Sequence, residues 1–245
     1  MKTYAVIPDI HAPLHDKHAW GAMMNALADT DLYGLVQLGD AFDLETLSSH
    51  NKRKPSPNSL AQEIKGGKEV RKDMDSLDVT VKHMTLGNHE QRLYSYLMKH
   101  APELYEEMSV DSLFGLSANG WKVHDFMENL KIGKMNFIHC IDPGMVGINA
   151  VRATGQVAGK SITIGHVHRS QTEYFGRIDN KHYLAHCPGW LGSTKAAEYM
   201  SKVKVYSTWM QGFSLISFED NGNFHLVPVA ITDGKCSVNG KLYRG

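Results

Sequence analysis

Five short groups of acidic, histidine and asparagine residues run along the chain, each where a β-strand is expected to end. They are Asp9-Ile10-His11, Gly39-Asp40-Ala41-Phe42-Asp43, Gly87-Asn88-His89-Glu90, His139 and Gly165-His166-Val167-His168. Together they offer two carboxylates, one amide oxygen and four imidazoles suited to a pair of divalent metal ions, with one histidine to spare. The ordered set therefore predicts a dinuclear metal hydrolase.

The spacing of these residues predicts how they would bind metal. Asp9 and His11 are two residues apart, as are His166 and His168, and alternate residues of an extended chain face the same way. Each pair is therefore expected to reach one point in space. Asp40 follows a strand and a glycine, and its two oxygens could bridge cations about 3.5–4 Å apart. Imidazole with carboxylate favours manganese, iron, cobalt, nickel or zinc over magnesium and calcium.

The charge of such a centre indicates its substrate. Two divalent ions carry four positive charges, of which Asp9 and Asp40 cancel two. The surplus attracts an anion, so a phosphate ester is favoured over a peptide or an amide.

The glycines that precede candidate ligands are expected to let the backbone turn sharply and to leave room for metal and substrate. They are Gly39, Gly87 and Gly165.

The composition favours one domain in a reducing compartment. The 245 residues fit a single domain spanning 1–245, and the 26 basic and 26 acidic residues create no global field toward nucleic acid or a membrane. Three cysteines without a CxxC pair argue against a disulfide framework. The apolar N-terminus is too short for a signal peptide, and no apolar run approaches the ~20 residues of a membrane helix. We therefore expect a cytoplasmic location.

The strands that must position these groups are predicted from short β-branched runs. They cover residues 3–7, 35–38, 79–86, 135–138, 162–164, 183–184, 213–218, 224–231 and 237–243. Asn221-Gly222 and Asn239-Gly240 are expected to form hairpin turns, because type I′ turns need positive φ at both central residues. The pattern indicates an α/β protein with two β-rich layers flanked by helices.

Two helices are predicted in the first half of the chain. Asp16 is a candidate N-cap for a helix whose apolar residues share one face, namely Trp20, Met23, Met24 and Leu27. A second helix is expected from about Glu90 until Pro102 interrupts it. Its expected buried residues are Leu93, Tyr96 and Leu97.

Residues 47–77 interrupt this pattern. They contain the basic run Lys52-Arg53-Lys54 and then a helix-like stretch weakened by Gly66-Gly67. Because the segment lies between two metal-binding groups, it is either a cap or rim over the site or a solvated surface loop. The basic run could contact a nucleic-acid backbone by releasing counterions, but it has no interleaved aromatic residues for base stacking.

Taken together, the Asp-x-His, Gly-Asp-x-x-Asp, Gly-Asn-His-Glu, strand-end His and Gly-His-x-His motifs resemble those of the calcineurin-like metallophosphoesterase family. The resemblance covers residues 9–168, about two-thirds of the chain. It implies the metallo-dependent phosphatase fold, a four-layer α-β-β-α sandwich of two mixed sheets with flanking helices. It also implies two divalent transition metal ions, with manganese expected first and iron, zinc, nickel or cobalt as alternatives.

The resemblance implies a role for each matching residue. The first metal would be bound by Asp9, His11 and His168, the second by Asn88, His139 and His166, and both would be bridged by Asp40. His89 would face the substrate as general acid or phosphate stabiliser. Asp43 would hydrogen-bond His89 and favour its imidazolium form. The nucleophile would be a metal-bridging hydroxide that attacks a phosphate mono- or diester in line with the leaving oxygen.

Two features separate the chain from branches of that family. Leu44-Glu45 follows Asp43 where the protein Ser/Thr phosphatase branch continues as Arg-Gly, so that branch's phosphate-binding arginine is missing at this place. The Gly-Asn-His-Glu ending resembles that branch, whereas many nucleases of the family carry Asp after the His. A structural role is expected for Glu90, in which it bonds the backbone or a nearby cation. The Gly-Asn-His-Glu-x-Arg run and the C-terminal hairpin region are similar to bacteriophage-encoded members, whose substrates are often unassigned.

Several readings remain open at this stage. A nuclease or phosphodiesterase acting on DNA or RNA is the main alternative to a phosphoesterase for small esters. A protein Ser/Thr phosphatase or a non-catalytic binding module on the same fold is less favoured. Arg92 and Arg169 lie beside candidate ligands and could grip phosphate bidentately or form ordinary salt bridges. Asp43 could instead cap a following helix. Strand alternation is expected to point the Cys140 thiol away from the His139 ring.

Overall fold

Two β-sheets lie face to face, with a layer of helices on the outer side of each. The structure is a computed structural model that describes residues 1–49, 58–193 and 208–245. The strands are β1 Lys2–Ile7, β2 Gly34–Gln37, β3 Val81–Thr85, β4 Trp121–His124, β5 Leu130–Ile132, β6 Met135–Ile138, β7 Ile162–Ile164, β8 Ser170–Gly176, β9 His182–Pro188, β10 Gly212–Phe218, β11 Phe224–Ala230, β12 Lys235–Val238 and β13 Lys241–Arg244. The α-helices are α1 Lys17–Ala28, α2 Leu60–Asp75, α3 Gln91–His100, α4 Val110–Phe114 and α5 Ala150–Ala158.

Both large sheets are mixed. The first has the order β11-β10-β1-β2-β3-β4, in which β1 to β4 are parallel and β10 pairs antiparallel with β1 and β11. The second has the order β5-β6-β7-β9-β8, in which β6, β7 and β9 are parallel and the two edge strands are antiparallel. The carboxyl ends of β1, β2 and β3 therefore lie along one edge of the first sheet, and those of β6 and β7 along one edge of the second.

Three apolar cores hold the layers together. Between the sheets, Val6 and Leu38 of the first pack with Phe137 and Leu184 of the second. Helices α1 to α4 cover the outer face of the first sheet in the largest core, and α5 covers the outer face of the second. The prediction of a four-layer α-β-β-α arrangement of two mixed sheets is confirmed.

The predicted N-cap of α1 and one of the two predicted type I′ turns are present. The Asp16 carboxylate accepts hydrogen bonds from the amides of His18 and Ala19, both at 3.0 Å, and so begins α1. Asn239 and Gly240 have φ of 50° and 78°, as a type I′ turn between β12 and β13 demands. At the other expected hairpin only Gly222 has positive φ, so the type I′ assignment there is wrong.

Other expectations for the elements need correction. Tyr96 is 41% exposed and packs its ring against His100, so the expectation that it is buried is wrong. The buried residues of α3 are Leu93 and Leu97. Asp43 does not cap the 3-10 turn Glu45–Leu47 that follows it, because the N-cap position is Leu44 and no side chain caps the turn. Strands β4, β5 and β8 and helices α4 and α5 were not anticipated. Each is short or lacks a strict apolar period.

Part of segment 47–77 belongs to the outer helical layer. Helix α2 begins with a capping box at Ser59 and runs through both glycines without interruption. A Cβ on Gly66 would lie 2.7 Å from the Pro13 side chain, and one on Gly67 would lie 2.5 Å from the Phe114 ring. The glycines thus bring α2 close to the loop that follows β1. The basic run 52–54 lies outside the described residues, and a cap or rim formed by this segment stays a prediction.

No helix among the residues that the structure describes has the length and apolar character to cross a membrane.

Candidate metal centre

The five groups of polar residues meet where the two sheets present the carboxyl ends of their parallel strands. Asp9 follows β1, Asp40 follows β2 and Asn88 follows β3 in the first sheet. His139 comes directly after β6, and His166 follows β7 in the second sheet. The sheets face each other, so loops from both surround one buried space. This is the place where an open α/β sheet gathers its ligands.

Four of the candidate ligands have left-handed backbones. The φ angles are 54° at His11, 50° at Asp40, 67° at His166 and 57° at His168. Such values are uncommon outside glycine, and they persist where surrounding contacts enforce them, often at functional sites. Asp9 and His11 therefore meet through a tight turn, whereas His166 and His168 point to different clusters and do not reach one point as expected. The expectation that an extended chain aligns them is wrong, because each turn redirects the side chain that alternation would have placed.

One cluster consists of Asp9, His11 and His168. Their ligand atoms all lie within 4.8 Å of one another. Nε2 of His168 is 3.0 Å from Oδ2 of Asp9 and 3.1 Å from Nε2 of His11. All three side chains are buried. These are the residues that the family resemblance assigns to the first metal ion.

A second cluster surrounds His139. Its Nε2 lies 3.0 Å from Oδ1 of Asn88 and 3.4 Å from Oδ2 of Asp40, and its ring centroid is 5.2 Å from that of His166. The ligand atoms of Asp9, Asp40 and His139 are mutually within 4.8 Å, so the carboxylates connect the two clusters. The structure thus brings all seven sequence-predicted metal ligands together.

Cys140 lies nearer to this cluster than the sequence indicated. Its sulfur and the ligand nitrogens of His139 and His166 lie within 4.8 Å of one another. The chain has left β6 at this point, so strand alternation does not apply, and the expectation of an opposed thiol is wrong. The thiol is buried, as expected, and burial raises its pKa to about 12.

Each of three histidine rings in the clusters has its outer nitrogen held by an oxygen atom. Nδ1 of His11 is 3.1 Å from Oδ1 of Asp43, and Nδ1 of His139 is 2.7 Å from the carbonyl oxygen of Leu38. Nε2 of His166 is 2.9 Å from the carbonyl oxygen of Pro143. Metal-binding imidazoles are usually oriented in this way, with the free nitrogen presented to the ion. The donor set and its outer hydrogen bonds therefore fit divalent transition metals.

The carboxylates and imidazoles influence one another's charge. Burial alone would raise the pKa of Asp40, but His139 and His89 lower it well below its usual range. Burial alone would lower the pKa of His139, but Asp40 raises it to about 10. The two groups therefore favour a proton on His139 beside the Asp40 carboxylate. A divalent ion would take the place of that proton, since a ligand imidazole must be neutral.

His89 lies between Asp43 and Arg92. Its Nδ1 is 3.0 Å from Oδ1 of Asp43, and its Nε2 is 3.0 Å from the guanidinium of Arg92. A guanidinium can only donate, so Nε2 accepts and Nδ1 carries the proton. Burial, with Arg92 and His11, lowers the pKa of His89 and outweighs Asp40 and Asp43. The predicted contact with Asp43 is present and raises the pKa as expected, but the other contributions outweigh it, so the net pKa of His89 is lowered.

Glu90 joins the loops that carry two of the ligands. Its Oε2 accepts hydrogen bonds from the amides of Asp40 and Gly87 at 2.9 and 2.8 Å, and its Oε1 accepts one from Phe42 at 2.9 Å. Burial raises its pKa to about 7. Glu90 has the structural role expected from the sequence.

The three glycines that precede candidate ligands leave space for ligand side chains, as expected. A Cβ on Gly165 would lie 2.5 Å from Oδ1 of Asp9, and one on Gly39 would lie 2.7 Å from Nδ1 of His139. A Cβ on Gly87 would collide with Oδ1 of Asp40. Gly39 also has φ of 86°. At each position a larger residue would displace a candidate ligand.

Arg169 joins two loops beside the centre. Its Nε donates to the hydroxyl of Thr208 at 2.9 Å, and its Nη1 donates to the carbonyl oxygens of Val146 and Val167 at 2.8 and 3.2 Å. The Arg92 guanidinium also donates to the carbonyl oxygen of Asp43 at 2.7 Å. In this structure Arg169 bonds mainly to loop backbone, and Arg92 bonds to a loop carbonyl and to His89. Contact of either arginine with phosphate stays a prediction.

Trp190 is a residue of the site that sequence reasoning missed. It forms an isolated bridge with Asp9 and stacks on the His168 ring, with centroids 4.9 Å apart. A tryptophan has no metal-ligand chemistry, and it lies 22 residues beyond His168 in the chain. Its position after β9, a strand parallel to β7, was the available signal.

The chain is similar to two curated phage proteins along nearly its whole length. It is 27% identical over 269 residues to the Gene 54 protein of Mycobacterium phage D29, covering 99% of this chain and 98% of that protein. It is 27% identical over 267 residues to the Gene 54 protein of Mycobacterium phage L5, with the same coverage. No protein-family model matches the sequence.

Two solved structures share its architecture. A single mutant of Vps29 from Entamoeba histolytica has a TM-score of 0.50 and 15% identity, covering 99% of this chain and 98% of that chain. Vacuolar Protein Sorting 29 from Cryptosporidium parvum has a TM-score of 0.50 and 14% identity, covering 100% and 98%. The chain therefore has the metallophosphoesterase fold, in agreement with the two mixed sheets and their flanking helices.

Proposed function

We propose that the chain is a dinuclear-metal-dependent phosphoesterase of the calcineurin-like type, similar to bacteriophage-encoded members. The observation that carries the proposal is the convergence of two ligand clusters that Asp9 and Asp40 connect. In the proposed assignment, Asp9, His11 and His168 would hold the first ion, manganese before other transition metals. Asn88, His139 and His166 would hold the second ion, and Asp40 would serve both.

The charge of this ligand set supports an anionic substrate. Only Asp9 and Asp40 contribute negative charge among the ligands, so two divalent ions leave a net positive centre. Bound divalent ions supply an activated water and stabilise charge that develops on phosphate oxygens. The residues of the chain would hold the ions away from bulk water, because the ligand side chains other than Asn88 and His166 are almost fully buried.

Proton transfer is the proposed role of His89. Asp43 fixes the ring through Nδ1, and Arg92 donates to Nε2. An arriving phosphate adds negative charge, which raises the pKa of His89 and favours a proton on Nε2. The Arg92 guanidinium is then available for a phosphate oxygen. His89 donates its Nε2 proton to the leaving oxygen as general acid.

The substrate class is proposed to be small phosphate mono- or diesters. A nuclease acting on DNA or RNA is the second candidate, and the basic run 52–54 that favours it lies outside the described residues. A protein Ser/Thr phosphatase has less support, because Leu44-Glu45 stands where that branch has its arginine. A binding module without catalysis has the least support, because a suitable residue stands at every expected metal-ligand position.

Hydrolysis assays on the manganese-loaded protein separate these functions. We expect cleavage of p-nitrophenyl phosphate, of bis(p-nitrophenyl) phosphate, or of both, and no cleavage after metal removal. Labelled single- and double-stranded oligonucleotides test the nuclease in the same buffer. Failure to cleave any of these substrates with metal bound would contradict the proposal and leave the binding module as the better account.

A further inference from the structure

The four clustered histidines differ in what orients their rings. Three have the outer ring nitrogen bonded to a carboxylate or carbonyl oxygen, namely His11, His139 and His166. His168 is different. Its Nε2 faces Asp9, but its Nδ1 is buried without a hydrogen-bond partner among the residues that the structure describes. Because metal-binding imidazoles are normally fixed through this second nitrogen, another contact must orient His168.

Two tryptophans enclose the His168 ring. Trp190 stacks on it with centroids 4.9 Å apart and an angle of 14° between the planes. Trp209 meets it edge to face, with centroids 4.4 Å apart and an angle of 79°. The ring centroids of the two indoles are 4.7 Å apart. One indole lies against the face of the imidazole and the other crosses it, so together they prevent the ring from tilting.

Backbone hydrogen bonds fix both tryptophans relative to the metal ligands. The amide of Leu191, next to Trp190, donates to the carbonyl oxygen of Asp9 at 2.7 Å. The amide of Met210, next to Trp209, donates to the carbonyl oxygen of His168 at 2.9 Å. The amide of Trp190 donates to the carbonyl oxygen of Met210 at 3.1 Å. The indoles are therefore held by the same backbone segments that carry Asp9 and His168.

We propose that Trp190 and Trp209 are positioning residues for the first metal ion, fixing His168 through ring contacts where the other histidines use a hydrogen bond. The inference rests on the proposed metal centre but not on its hydrolytic activity. The indoles keep Nε2 directed at Asp9 and exclude water from the opposite side of the ring. Outer partners of metal-binding imidazoles typically contribute about 10–100-fold to metal affinity.

The first test compares leucine and phenylalanine at these positions. Manganese binding to the metal-free protein is measured by calorimetry for Trp190→Leu, Trp209→Leu and Trp190→Phe. We expect each leucine variant to lose about 10–100-fold in affinity at one of two sites and to keep the other. Trp190→Phe, which retains an aromatic face, should stay within a few-fold of wild type.

The matched control is Trp20→Leu. Trp20 is another buried indole, but it donates to Asp73 in the outer helical layer. Its loss should leave both metal affinities unchanged. Wild-type affinities at both sites in Trp190→Leu and Trp209→Leu would overturn the proposal.

Fluorescence provides a second readout that does not depend on the leucine variants folding. Co²⁺ quenches nearby indoles, so binding should lower the emission of the wild-type protein. In the double variant Trp190→Phe with Trp209→Phe, only Trp20 and Trp121 remain, and the quenching should largely disappear. Unchanged quenching in the double variant would count against the proposal. If the wild-type protein binds two ions and shows this quenching but hydrolyses nothing, the proposed hydrolytic function is contradicted. The proposal for Trp190 and Trp209 is not.

Discussion

Asp40 connects more parts of the centre than any other candidate ligand described above. Its Oδ1 accepts from the amide of His89 at 2.8 Å, its Oδ2 lies 3.4 Å from Nε2 of His139, and its carbonyl oxygen accepts from the amide of His11 at 2.9 Å. Glu90 holds its own amide. A bridging position needs a residue fixed from several sides, because both ions must share its oxygens.

Asp40→Asn should lose metal affinity and activity together. The substitution removes one negative charge at the bridging position and replaces one carboxylate oxygen by an NH₂ group. We expect metal affinity to fall by at least the ~10–100-fold that follows the loss of an outer hydrogen bond. Elemental analysis after dialysis checks this, with Asp29→Asn on the surface as the control. An Asp40→Asn protein that retains two ions would contradict the assignment.

His89→Ala should separate metal binding from turnover. His89 contacts Asp43 and Arg92 and is not among the proposed metal ligands. We expect both ions to be retained while kcat falls by about 10²–10⁴-fold, as for the loss of a general acid. His225→Ala, at a histidine that pairs with Glu219 on the surface, is the control. Full turnover in His89→Ala would remove the proposed role.

At the residue scale, the sequence predicted the ligand set because metal chemistry limits the residue types that can serve. It did not predict the sharing of Asp43 between His11 and His89, since two partners of one carboxylate become visible only when the loops are placed. Trp190 was missed for a related reason. Its contribution comes from ring contact with His168, which no spacing in the sequence encodes.

At the scale of elements, helix α2 must approach its neighbours closely. A Cβ on Gly67 would lie 2.5 Å from the Phe114 ring and 2.7 Å from the Phe42 ring, which stack on each other. Phe42 lies between Asp40 and Asp43, so the packing of α2 bears on the loop that carries a bridging ligand.

Gly67→Ala should therefore destabilise the protein, although alanine is the better helix former by about 1 kcal/mol. Overpacking of this kind typically costs about 1–3 kcal/mol. Urea unfolding measures the change in free energy. Lys68→Ala, on the exposed side of the same helix, should stay within about 0.5 kcal/mol of wild type. A more stable Gly67→Ala protein would show that α2 can move away without cost.

Strand β9 makes stability depend on pH through His186. The ring is fully buried, with Nδ1 2.8 Å from the hydroxyl of Thr172 and Nε2 2.7 Å from that of Ser214 in the other sheet. Burial lowers the pKa of His186 to about 4, against about 6.5 when the chain is unfolded. The unfolded state therefore binds the proton first, and stability is lost as the pH falls from about 6.5 to 4.

The contribution of His186 across this range is roughly 3 kcal/mol. His186→Asn should be less stable than wild type at pH 7 but should lose less on acidification, by about that amount. Ser214→Ala leaves the titrating ring in place and should keep the wild-type slope. Chemical unfolding at a series of pH values gives both quantities. Equal slopes for wild type and His186→Asn would contradict the assignment.

The elements show what periodicity can and cannot predict. Strands β1, β6 and β7 lie within a residue of their predicted bounds, because each is a β-branched or apolar run with a sharp end. Helix α5 has a glycine inside it, and a Cβ on Gly155 would collide with the Phe175 ring of β8. A glycine is needed there for the close approach of Phe175, whereas helix propensity alone would have predicted no helix at that position.

For the whole molecule, the centre connects the two sheets. The amide of His166 donates to Oδ2 of Asp9 at 2.9 Å, and Nδ1 of His139 donates to the carbonyl oxygen of Leu38 at 2.7 Å. Both bonds run from loops of the second sheet to loops of the first. The sequence predicted the layers through its alternating pattern, but the pairing of the sheets follows from the inter-sheet core and from these polar contacts.

The most direct test of a dinuclear phosphoesterase is a manganese titration of the metal-free protein with hydrolysis of bis(p-nitrophenyl) phosphate and p-nitrophenyl phosphate measured at each step. We predict that the rate for at least one ester rises and saturates at two equivalents of manganese per chain. No hydrolysis of either ester at full loading, or saturation at a single equivalent, would contradict it.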